Sequence, residues 1–147
     1  MKGRSGFSLA EILLVLVLIG LVSVLIIPKL GASYAKTQVA AARARITALA
    51  GRARLVAISR SCADTLHVSS GTNGVAWITV CAPNGTGLDT ETVADQVASR
   101  YGVTIASSRN FVFDPRGMFI SAFPSVVITK SSVSDSVVIG ASGRVTH

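Results

Sequence analysis

"FSLAEILLVLVLIGLVSVLII", residues 7–27, carries a single charge, Glu11, and two clearly polar side chains, Ser8 and Ser23. As a helix rising about 1.5 Å per residue, the run reaches roughly 30 Å, the hydrocarbon thickness of a bilayer. An isolated carboxylate in hydrocarbon is unfavourable by several kcal/mol, so the acid near the start of this run needs a physical reason. Lys2 and Arg4 precede the run and Lys29 and Lys36 follow it, so the basic-loop rule determines its orientation only weakly. A secretory signal peptide, the competing reading, has a shorter apolar core followed by a small-residue cleavage site. Here the run passes into Pro28-Lys29 and a further helical pattern, which is how a span that stays attached reads.

Working outward, Pro28 and Gly31 punctuate the chain, and a kink or local melting is expected near residues 28–31. Beyond them Ala42, Ile46, Leu49, Ala53 and Val56 recur at spacings of four, three, four and three. This is one apolar stripe of an amphipathic helix, running to about Arg60. Lys36, Arg43, Arg45, Arg52, Arg54 and Arg60 decorate the same stretch, with no acid between Glu11 and Asp64. Such a run attracts phosphates or anionic headgroups, or it is a solvated face, or it pairs with acids on neighbouring subunits.

After Arg60 the composition changes. "TLHVSS", "VAWITVC", "YGVTIAS", "NFVFD", "GMFIS", "SVVITK" and "SVVIG" are short runs rich in Val, Ile, Thr and aromatics. Clusters such as "SGTNG", "APNGTG" and "DPRG" separate them, the pattern of antiparallel strands and turns. Seven strands in two small sheets packed on the amphipathic helix make the expected fold class α+β. The expected boundaries are 1–6, a span at 7–29, an amphipathic helix at 30–60 and a β-rich head at 61–147. With 147 residues, a formal charge of +7 and an apolar share of half, the chain is neither disordered nor large enough for two heads.

Motifs for chemistry are missing. His67 and His147, with scattered Asp and Ser, form no nucleophile–base pattern, and there is no GxSxG, HExxH or P-loop sequence. "NGTG" lacks the strand–turn–helix setting of a phosphate loop. Trp77, Phe111, Phe113 and Phe119 read as core aromatics, and His67 as a strand residue. The expectation is a protein that is not an enzyme, with no catalytic residue, metal or cofactor.

"KGRSG" followed by "FSLAEILLVLVLIGLV" resembles the class III signal of type IV pilins and type II secretion pseudopilins. The resemblance rests on Lys2, Arg4, Gly6, Phe7, Ser8, Leu9 and Glu11. It implies that a prepilin peptidase cuts after Gly6 and methylates the new amine on Phe7, making residues 1–6 a leader. It also implies a purpose for Glu11, which would pair with the terminal amine of a neighbouring subunit in a helical bundle. The plainer alternative is that Glu11 reaches the interface from near one end of the span. A pilin-like fold is implied too: one long helix, its first half in the membrane and its second half on a globular head.

"ARLVAISR", a Trp strand ending in Cys, "FVFDPRGMF" and a closing "VVIGASGRVTH" further resemble the GspH/FimT family of minor pilins and pseudopilins. The implied function is a minor subunit of a secretion pseudopilus or a pilus, helping filament initiation or tip assembly. Its implied partners are major and other minor pilin-like subunits and the bacterial inner membrane, with a periplasmic head. DNA is the alternative partner, as in FimT-like pilins carrying Gly-Arg-x-Arg. Here Gly143 and Arg144 match, while Thr146 stands where the second arginine would be. Cys62 and Cys81 suggest a disulfide if the head is exported to an oxidising compartment; two free thiols are the alternative, and a metal site lacks further ligands beyond His67.

Overall fold

The computed structural model describes residues 8–82, 87–91, 93–122 and 125–146. Side chains of residues 25–30 are outside that description, as are Gly6 and Phe7. The first element is a long helix, α1 (Leu9–Arg60), which continues without a break through Pro28 and Gly31. The expected melting there is not seen. The chain falls into two compact units, 1–34 and 35–147, each taken by itself below.

In the first unit the helix begins at Ser8, whose carbonyl accepts from the backbone N–H groups of Glu11 and Ile12. Ser8 and Glu11 therefore hold the N-cap and N3 positions of a capping-box spacing, and the acid sits where the helix dipole favours negative charge. From Leu9 to Val24 every large apolar side chain is exposed: Leu9 at 76%, Leu21 at 63% and Val24 at 73%. Among the described residues no helix is long and apolar enough to cross a membrane. Leu9–Val24 amounts to about 24 Å of helix at roughly 1.5 Å per residue, short of a bilayer core. The apolar sequence extends beyond it on both sides, to Phe7 and to Ile27, into positions the description does not reach.

The second unit is a head with its own core. Strands β1 (Asp64–Val68), β2 (Ala76–Cys81), β3 (Leu88–Thr90) and β5 (Arg109–Phe113) form one antiparallel sheet in the order β3-β2-β1-β5. The second sheet has the order β4-β6-β7-β8, from β4 (Thr104–Ile105), β6 (Ser125–Lys130), β7 (Val133–Ile139) and β8 (Val145–Thr146). A short helix, α2 (Val97–Tyr101), precedes β4. The architecture is α+β, an N-terminal helix with antiparallel sheets. It differs from the expected strands at three places. β3 and β8 are additional, and "GMFIS" contributes only an isolated bridge between Phe119 and Phe113.

Ala35, Val39, Ala42, Ile46, Leu49, Ala50, Ala53 and Ala57 are the buried face of α1. Alanine at five of these eight contact positions lets the helix axis approach the sheets closely, because a methyl group takes little room between them. That is also why Ala57 replaces the expected Val56, which is only half-buried. The opposing wall is Leu66, Ile78, Phe111 and Phe113 from the first sheet, and Val126, Ile128, Val137 and Ile139 from the second. Period-two alternation sends these side chains inward from strands whose alternate residues face out. Trp77 is among the outward ones. It stacks on His67, its cross-strand neighbour, with ring centroids 4.9 Å apart, so the expectation that it enters the core is corrected.

α1 ends in a Schellman motif. Ser61 takes a left-handed φ of 51°, its N–H donates to the Ile58 carbonyl, and the Cys62 N–H donates to the Ala57 carbonyl. The chain thus leaves the helix at Cys62, and Cys62 is bonded to Cys81 at the end of β2. Their Cα atoms are 6.3 Å apart, inside the ordinary range for a disulfide.

Candidate functional site

The residues singled out from sequence are not brought together into one site. Gly6 and Phe7 lie outside the described residues. Glu11 belongs to the first unit, exposed beside Ile12, Val15 and Leu16 around a shallow hollow of about 330 Å³. Cys62, Cys81 and Arg144 belong to the second.

The basic run on α1 has a specific destination that none of the sequence readings named. Arg43 donates to Asp135 on β7 at 2.8 Å, and Arg45 to Asp95. Arg60 bonds Glu91, with Arg52 3.6 Å from the same carboxylate. Arg54 donates from Nε to the carbonyl of Gly117 at 3.0 Å. These arginines are used within the chain, fastening both sheets and the turn at residues 114–117 to the helix. The part-exposed pairs of Arg43, Arg52 and Arg60 contribute on the order of 0–1 kcal/mol each, so their effect is mainly to fix register, whereas Asp95, the partner of Arg45, is buried.

The turn itself is built by Asp114, whose Oδ1 accepts from the N–H groups of Arg116 and Met118 at 2.9 and 2.8 Å. The Met118 N–H bond is the main reason its carboxyl is held below the usual range; burial opposes it, and the bonds and charge of Arg116 add to the lowering. Gly117 ends the turn against Ile58 and Arg54, and Gly143 of the β7–β8 connection lies directly on the Gly117 carbonyl.

That stacking leaves an open groove of about 1040 Å³ between α1 and the terminal hairpin. Leu55 and Ile58, 67% and 43% exposed, lie along it on the helix, beside Gly51. Arg52, Arg54 and Arg144 also line it, and among the described residues no acid does. Arg144 is exposed and, among the described residues, its side chain has no partner. Sequence reading singled out Arg144 but missed the groove, because its two walls are far apart in the chain.

Asp64 opens β1 fully buried, its Oδ1 accepting from the Thr65 N–H at 2.7 Å and its Oδ2 without a hydrogen-bond partner among the described residues. Burial raises its pKa to about 6; the Thr65 bond opposes this, Glu91 adds to it and Arg60 opposes it. A carboxyl with a raised folded-state pKa favours the fold fully below about 3.8 and loses that contribution as pH rises through about 6. Asp64→Asn is therefore expected to be more stable than the parent at pH 7.5, by about 1–3 kcal/mol, and equal to it near pH 4. Urea titrations across that interval check this, and a difference that does not change with pH would refute it.

Compared with protein-family profiles, with curated proteins and with solved structures, the chain matches none.

Proposed function

We propose that the chain is a pilin-like minor subunit of a type II secretion or type IV pilus machine, held in the bacterial inner membrane by residues 7–29 with a periplasmic head. The observation that carries the reading is the surface of α1 from Leu9 to Val24, apolar except at Glu11 and Ser23 and uncovered. Contiguous apolar surface of that extent is covered by lipid or by protein in a working molecule. The sequence run reaches the length of a span once Phe7 and residues 25–27 are included. The same helix then becomes one face of a β head, which is the division of labour a membrane-anchored filament subunit needs. The Cys62–Cys81 bond fits an oxidising compartment.

In this reading Glu11 both suits the helix N-terminus and supplies a carboxylate for the amine freed at Phe7 of a neighbour. Separating a buried pair of that kind costs about 3–5 kcal/mol, enough to set register. The test is co-expression with a prepilin peptidase followed by mass spectrometry. A product starting at Phe7 with a methylated amine is expected, with none from Gly6→Val. In a filament-forming host, Glu11→Leu is expected to insert as well as the parent yet co-purify poorly with the major subunit. An intact Met1 start, or cleavage beyond Ile27, contradicts the reading.

A further inference from the structure

We propose that the groove between α1 and the terminal hairpin is a docking site for an extended segment of a partner protein that alternates aliphatic and acidic side chains. The inference uses only the second unit and does not depend on how the N-terminal helix is anchored.

Two properties of the groove act together. Its apolar part is helix surface that the head covers only in part: Leu55 is mostly exposed, and Ile58, packed on one side against Gly117, is exposed on the other. Gly51 leaves open space between turns, with nothing within 4 Å of where a Cβ would stand. An aliphatic side chain seated there removes apolar surface from water on both partners. The charged part is three arginines, with no acid among the described lining residues. Arg144 lacks a partner among the described residues, Arg54 serves a neutral carbonyl, and Arg52 is the more distant of two cations sharing Glu91. The positive charge there is thus incompletely neutralised, whereas on the same helix Arg43 bonds Asp135 at 2.8 Å and Arg45 is the nearer of two cations on Asp95.

Carboxylates match that charge, and guanidinium–carboxylate pairs are directional enough to fix the register of an extended chain. A nucleic acid would use the arginines and leave Leu55 and Ile58 idle, because phosphate contacts need no apolar surface. The observations therefore favour an acidic–aliphatic peptide.

Fluorescence anisotropy with the purified full chain tests this, using a short labelled peptide of alternating leucine and glutamate. Peptides with lysine replacing glutamate or serine replacing leucine, and a short DNA duplex, are the competitors. Saturable binding of the leucine–glutamate peptide is expected, weakened about ten-fold by Arg144→Ala and by Leu55→Ser. Gly51→Leu fills the groove from an exposed helical position, where leucine also favours the helix over glycine, and is expected to abolish binding without loss of fold. Absence of saturable binding overturns the proposal, as does equal binding of the lysine or serine peptide. Tighter binding of the duplex, lost in Arg144→Ala and kept in Leu55→Ser, overturns it in favour of nucleic acid.

Discussion

Gly143→Ala is expected to remove about 2–5 kcal/mol of folding stability, through backbone strain and overpacking together. Gly143 has a φ of +71°, a left-handed conformation that a side chain disfavours. A Cβ built there would run into the carbonyl oxygen of Gly117 and stand 3.1 Å from Arg54. That oxygen has little room to retreat, because it accepts the Arg54 Nε–H and its residue is pressed against Ile58. The terminal hairpin would have to lift from the helix, taking β8 with it. Gly140→Ala, three residues earlier, is the matched control. Its nearest neighbour would be the Arg144 carbonyl at 3.7 Å, an ordinary contact, so little change is expected. Urea denaturation followed by the fluorescence of Trp77, the single tryptophan, separates the two. Equal midpoints for both variants would show that the hairpin does not rest on Gly117.

Reduction of Cys62–Cys81 is expected to lower stability by roughly 3 kcal/mol in the chain-entropy account, about 10 °C in the thermal midpoint of a chain this size. The bond closes a separation of 19 residues, and it joins Cys62, two residues past the helix terminus, to a strand paired on both sides. In the reduced chain the left-handed Ser61 must hold the end of α1 without covalent help. Calorimetry with and without reductant measures the difference. Two free thiols titrating in the folded, non-reduced protein would refute the bond.

Much of the fold was legible because it rests on short-range periodicity. The α1 stripe at spacings of three and four and the alternation in β1, β2, β5 and β6 are local patterns, visible without neighbours. β3 and β8 were not legible. "LDT" is exposed throughout, and Val145–Thr146 is too short to alternate, so both are edges recruited by strands already in place. Trp77 shows the limit of composition, since its size suggests a core residue while its parity on β2 puts it outside. Val56 and Ala57 show a similar limit, because hydrophobicity selects the valine and the closeness of helix to sheet selects the alanine.

The candidate sites divide in the same way. Glu11 and the two cysteines stand out as isolated exceptions to their surroundings. The arginine partners do not, lying 31 residues away for Glu91 from Arg60 and 92 for Asp135 from Arg43. The groove depends on Gly117 and Gly143 meeting across the head, a contact no local pattern encodes.

The Cys62–Cys81 bond also alters how the molecule carries tension. A pull transmitted along α1 and onward through the chain after Cys81 crosses the sulfur–sulfur bond and bypasses residues 63–80. Those residues hold β1, the strand between β2 and β5, so the middle of the first sheet bears no load along its covalent path. At about 3.4 Å per residue they store roughly 60 Å of contour length. That length is released only when the bond is reduced; until then the head extends under force from its second half, with the first hairpin intact.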